Sequence, residues 1–345
     1  MVGHRIFGTT CWYFGDFAGA HDRFQKTFEL YDQARHADFA NRFGQDPRVT
    51  AEAYDAVALW VLGRVDEALR LADRSLADAE SSAHAPTMGF ALLVAALLGF
   101  VRYNPEAVAT CSQALADISS RYDLPAYIAG LVVFFQGWAR SSDGAEEARL
   151  AEMRRGLAIH REQGFLFYLP SFEAALAEAE AGAGETDAGL RRLDDALAEL
   201  ERTEERWCEA EMHRIRGEIL LQRDPADTPA AERSLQAAIA IAQSQKARSF
   251  ELRAALSLAQ LYRAADRDAA ARAVLAPAVE GFPPTRQFPE LTEAQALLAA
   301  LACDPSYQIR MIRIHARPVI ARSGATKQSR SGCALPDEIA SLRSQ

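Results

Sequence analysis

A unit of about forty residues recurs along this 345-residue chain, and few folds tolerate such a period. Its centre is a tight turn followed by acids and alanine. The clearest copies read FGDFAGAHDRF (14–24), LGRVDEALRLA (62–72), DGAEEARLAEM (143–153) and AGETDAGLRRL (183–193). Weaker ones are YNPEAVATC (103–111), DTPAAERSL (227–235) and RDAAARAVL (267–275). Aligning the small residue after each turn selects Ala20, Ala68, Ala107, Ala148, Gly189, Ala231 and Ala271, in steps of 48, 39, 41, 41, 42 and 40. In five of the seven copies, small or apolar residues also stand four and seven positions further on.

Each unit reads as helix, turn, helix. Val65, Ala68, Leu69, Ala72, Leu76 and Ala79 fall on one helical face, as do Leu190, Leu193, Leu197 and Leu200. Small side chains let two helices cross at about 8–10 Å. A single pair cannot cover its own apolar stripe, so neighbouring pairs must stack. Asn104-Pro105-Glu106 supplies a cap, a first-turn proline and an acid at the positive helix end, and Thr228-Pro229 repeats the cap and proline. The 68 alanines agree, because alanine is the best helix former and a poor strand former. The expected fold is all-α, a right-handed α-solenoid of about seven helix pairs over residues 1–304. An irregular helical bundle is the alternative.

Charge is unevenly placed. Residues 305–345 carry seven Lys/Arg against two acids, whereas residues 1–304 carry 31 against 45. An acidic body repels nucleic acid and anionic lipid. That leaves the basic tail, expected to be disordered, as the segment suited to anionic partners. Five scattered cysteines without a CxxC fit reduced thiols and a cytoplasmic setting. The longest apolar run, Met88 to Val101, has 14 residues and falls short of the ~20 that cross a bilayer, so it reads as a buried helix.

Signatures of catalysis are missing. The sequence has no GxxxxGK[ST], HExxH or GxSxG, and the glycines at 182 and 184 follow a helix where a dinucleotide loop needs a strand. Acid pairs such as Glu146-Glu147, Asp194-Asp195 and Glu204-Glu205 diverge by about 100° on a helix and read as solvated faces. Cys208 and Met212 share a face and read as packing. No enzyme, metal or cofactor is expected. Binding candidates are aromatic and charged: Tyr54, Trp138 and Trp207 as anchors, Glu211 and Arg214 on the helix after Trp207, and Arg42, Asp46 and Arg48 in the turn-like stretch that lengthens the first step. Each has a structural counterpart. The aromatics would fill gaps between stacked pairs, and Asp46 would cap the helix that Pro47 opens.

The small–large–small spacing with GDF and GRVDEAL turns resembles tetratricopeptide repeats of the long-period variety. Several strings narrow this: VGHRIFGTTCWYFGDFAGAHDRF (2–24), RFGQDPRVTAEAYDAVALWVLGRVDEAL (42–69), QGWARSSDGAEEARLAEMRRGLAIHREQG (136–164), ERWCEAEMHRIRGEILL (205–221) and SFELRAALSLAQLY (249–262). They resemble the C-terminal helical region of multidomain bacterial proteins that join a nucleotide cyclase-like domain, a STAND-type ATPase and such an array. The resemblance covers nearly all of residues 2–302. It implies that the cyclase and ATPase chemistry lies in upstream domains, and that this chain is a separated tail segment of a split or truncated gene product. It further implies a non-catalytic scaffold in signal transduction, whose first helices line a concave face that holds a protein segment or domain, such as the upstream ATPase or cyclase. The alternative is a metabolite-sensing module, as in some related transcription regulators. Residues 317–345 resemble translated intergenic repeat DNA, which implies a tail without a role. An uncapped first pair is expected to expose Trp12, Phe14 and Phe17 and to self-associate.

Overall fold

The computed structural model describes residues 1–36, 38–140 and 146–302. The 305–345 tail and the 143–145 part of one repeat turn lie outside these residues. The described chain is all-helical, with α1 (Val2–Tyr13), α2 (Phe17–Leu30), α3 (Gln33–His36), α4 (Phe39–Phe43), α5 (Pro47–Val61) and α6 (Val65–Ser81). There follow α7 (Ala85–Val101), α8 (Pro105–Arg121), α9 (Tyr127–Ala139), α10 (Glu146–Glu162), α11 (Leu169–Gly182) and α12 (Thr186–Thr203). The last are α13 (Glu209–Arg223), α14 (Thr228–Ser244), α15 (Arg248–Ala264), α16 (Asp268–Val279) and α17 (Pro289–Ala302).

The helices pack as sequential antiparallel pairs, α1 with α2, α5 with α6, and so on to α15 with α16, as a helical repeat requires. The short α3 and α4 are inserted between the first two pairs and account for the 48-residue step. Each second helix also packs on the next first helix, α2 on α5, α6 on α7, and likewise to α14 on α15. Two layers result. Second helices such as α6 and α12 bury one stripe, whereas α5 buries every residue except Arg48. That is why the Met88–Val101 run is apolar on all sides: it lies within α7, covered by α5, α6 and α8.

Caps follow the sequence in two of three places. Asp46 accepts from the backbone N–H of Arg48 (2.7 Å) and Val49, and Asn104 from that of Ala107 (3.0 Å). Thr228 instead begins α14, with Asp227 at the cap position. Register differs in two pairs. Ala20, Ala68, Gly189, Ala231 and Ala271 are buried at their crossings, but Ala107 is only half-buried and Ala148 is exposed. In α8 the buried line is Val108, Ser112 and Leu115, and in α10 it includes Met153 and Gly156, each one residue further on. In the third pair the small residue lies across the crossing, at Gly99 of α7, and in the fourth it lies further along the same helix, at Gly156 of α10. Val108 packs against Gly99, and a Cβ placed on Gly156 would come 2.5 Å from the Phe134 backbone nitrogen.

Pairs distant in sequence also touch. Trp12 stacks on Trp207 with ring centroids 4.7 Å apart, and the Tyr54 and Tyr168 hydroxyls are 2.6 Å apart. Ser249 Oγ donates to the Trp60 carbonyl (2.5 Å), and Arg253 to the Val101 carbonyl (2.7 Å). These contacts draw first helices of distant pairs together. The first helices touch one another there through their own aromatic and polar residues. Contrary to expectation, Trp12 and Phe17 are fully buried, while Phe14 is exposed together with Ile6 and Phe7. No described helix is long and apolar enough to cross a membrane.

Candidate functional site

Where the first helices converge, a cavity of about 40 Å³ remains, room for two or three waters. Phe100, Trp138, Trp207, Met212 and Phe250 supply its apolar walls, and Tyr103, Ser171, Cys208 and Glu211 its polar ones. Tyr103 reaches it from the turn between α7 and α8. There it takes the left-handed backbone (φ +52°) that the equivalent turns give to Gly15, Gly63 and Gly184. A side chain in that conformation costs about 1–2 kcal/mol, so neighbouring contacts must hold it.

Those contacts are polar and dense. The Tyr103 hydroxyl accepts from Arg214 Nη2 (2.6 Å) and donates to Glu178 Oε2 (3.0 Å). Arg214 also donates to Glu211 (3.2 Å) and Glu218 (2.6 Å), and Ser257 completes the Glu218 site. Arg253 donates to Glu290 (2.6 Å), lies 3.5 Å from Glu211, and sets its guanidinium carbon 4.8 Å from the Tyr103 ring centre. Four carboxylates therefore surround two guanidinium groups. Burial pushes the Glu178 carboxyl up and the Tyr103 hydroxyl well up. Burial also opposes the Arg214 charge, yet Glu211, Tyr103, Glu218 and Glu178 together hold its proton more firmly than usual.

Beneath this cluster, Glu205 accepts from the Trp207 indole N–H (2.7 Å) and the Tyr168 backbone N–H (3.1 Å). Burial raises its carboxyl to about 7 against the pull of both bonds. Cys208 packs its sulfur 3.6 Å from that of Met212, and burial pushes its thiol well up, which disfavours the nucleophilic thiolate. Among the described residues no group of three His, Cys, Asp or Glu is placed to hold a metal ion. The arrangement is suited to recognition of charge and shape.

Four of the sequence-derived candidates meet here: Trp138, Trp207 and Glu211 line the cavity, and Arg214 bonds to its rim. Trp207 is only 1% exposed, so it forms the floor and is not a surface anchor. Tyr54 is corrected from anchor to core residue, its hydroxyl bonded to Tyr13 and Tyr168. Asp46 and Arg48 line a separate open cleft of about 500 Å³ with Tyr31, Asp78 and His84. There Arg48 pairs with Asp78 (2.8 Å) and Glu52 (3.0 Å), and burial raises Glu52 to about 7. Arg42 is exposed on α4 against the Phe39 and Phe43 rings. Sequence reasoning missed Tyr103, Glu178, Glu218, Arg253 and Glu290. A signal existed for the first: tyrosine stands where sister turns carry glycine.

The chain matches no protein-family model. It is 28% identical over 241 residues to an uncharacterized protein of Rhizobium meliloti (strain 1021), a stretch that covers 70% of this chain and 23% of that protein. The chain thus aligns with less than a quarter of its relative's length.

Proposed function

We propose that residues 1–304 form a right-handed solenoid of seven tetratricopeptide-like pairs that acts as a non-catalytic interaction module of a signalling protein of the cyclase and STAND-ATPase type. Its partner is a protein segment that inserts one basic side chain, arginine by preference, at the Tyr103 cavity. The observation that carries this reading is an aromatic-walled space with Tyr103 and Glu211 on its lining, where Tyr103 bonds to Glu178 and Arg214, and Arg214 bonds in turn to Glu211. The Glu211 carboxylate and the ring faces both favour a cation, and a planar guanidinium stacks best. A metabolite needs a pocket of roughly 300–1,000 Å³, well beyond this one. Alignment with a short stretch of a much longer relative supports a role as one module among others.

A fluorescence titration tests it, with Trp138 and Trp207 as reporters and two pentapeptides that differ only in a central arginine or glutamine. The arginine peptide should saturate and the glutamine peptide should bind about tenfold or more weakly, as a lost charge-assisted bond implies. Glu178→Gln, which keeps the side chain's size and removes its charge, should erase the difference. Equal affinities in the wild-type chain would sink the reading.

The 500 Å³ cleft around Arg48 favours a second reading, a metabolite sensor, because its size suits a small molecule. A thermal-shift screen separates the two, since a ligand at 100 times its Kd adds about 2.7 kcal/mol. Stabilisation by a metabolite that Arg48→Ala abolishes would establish the sensor.

A further inference from the structure

Among the described residues, the lining of the Tyr103 cavity has few hydrogen-bond acceptors to spare. Glu211 is the charged group on it, and both of its oxygens are engaged. Arg214 Nε lies 3.2 Å from each, and Arg253 reaches Oε2 at 3.5 Å. The Tyr103 hydroxyl accepts from Arg214 and donates to Glu178, and the Ser171 hydroxyl donates to the Tyr168 carbonyl (2.7 Å). Cys208 offers a thiol, a weak partner. The other walls are apolar or aromatic. Arg253 already lies over the Tyr103 ring, with its guanidinium carbon 4.8 Å from the centre, so the half-buried Trp138 is the ring left for a guest.

This lining discriminates among cations. A bare guanidinium carries five N–H donors and an ammonium three. Each donor that enters leaves water for a wall with no acceptor to spare, or competes with Arg214 and Arg253 for Glu211. Methyl groups in place of those hydrogens remove the cost, keep the charge and present apolar surface to apolar walls. Room for about two or three waters also matches a nitrogen bearing two methyl groups. Resting on the reading of this cavity as a cation site, we propose that its ligand is an N-methylated cation, a dimethylated arginine of the partner segment in preference to the bare one. The methylated nitrogen enters the cavity, and the N–H groups that remain stay at the mouth beside the partly exposed Glu178.

Isothermal calorimetry on the full chain compares pentapeptides that differ only at the centre: glutamine, arginine, and arginine with both methyl groups on one nitrogen. The dimethylated peptide should bind about tenfold or more tightly than the arginine peptide, the scale of two buried methyl groups. Trp138→Ala, its helix content checked by dichroism, should cut that gain to about threefold or less. The wild-type comparison stands whether or not this variant folds. Free N,N-dimethylguanidinium identifies the source: weaker binding than the peptide's supports a protein side chain, and equal binding supports a small methylated cation at the same site. The two readings fail separately. Arginine above glutamine with no gain from methylation, or a gain undiminished in folded Trp138→Ala, would overturn the proposal and leave the cation site standing. No preference among the three peptides would overturn both.

Discussion

Tyr103 shows why part of the site was hidden at the level of single residues. Its partners Arg214 and Glu178 lie 111 and 75 positions away, and no spacing rule connects them. Glu211 and Arg214 were legible because they share one turn of α13 with each other and follow Trp207 closely. Glu205 looked like a solvated acid beside Glu204, yet it turns inward to the Trp207 indole. It carries a pH prediction. Its folded value, about 7, lies above the ordinary 4.5, so the folded state keeps the proton longer than the unfolded chain does. The stabilisation is complete below about pH 4.5 and is lost as pH rises through 7, on the order of 3 kcal/mol in all. Glu205→Gln should remove that share of the decline in urea-unfolding free energy between pH 5 and 7. Glu52, raised to the same value, and Asp55, Glu178 and Glu209, which burial also raises, should leave the remainder.

Helices and their pairing were readable because the period repeats a physical need. Each hairpin has a stripe that only its neighbour can cover. The register was less readable, because a crossing needs one small residue on either helix and the sequence does not say which. Gly99 and Gly156 are the small partners in the third and fourth pairs, so the alanines aligned there were displaced. Two substitutions at aligned positions should therefore diverge. Ala68→Leu overfills a buried crossing and should lower stability by about 1–3 kcal/mol. Ala148→Leu sits on an exposed flank and should stay within about 0.5 kcal/mol, both measured by denaturant unfolding.

Across residues 1–301, one large apolar cluster runs from Trp12 to Leu301 and joins pairs that are not neighbours, with a small second cluster of Val49, Ala79 and Ala91 beside it. The aromatic residues at first-helix positions were visible in the sequence, but their alternatives, groove lining or packing, differ only in how far the pairs curl. Trp12 against Trp207 and Trp60 against Phe250 decide for packing. Linear arrays unfold piecewise because each unit meets only the next. Here the distant contacts couple the ends, so tryptophan fluorescence and far-ultraviolet dichroism should report one coincident urea transition. Two separated transitions would refute that coupling.

The contact of Ser249 with the Trp60 carbonyl links the second hairpin to the seventh. Open arrays lengthen or shorten by whole units during evolution at little cost. In this chain, duplicating or deleting a hairpin between those two would shift one end past the other and pull that bond apart. The tally of hairpins is thereby locked, and sequence change is steered towards the turns and the outer layer.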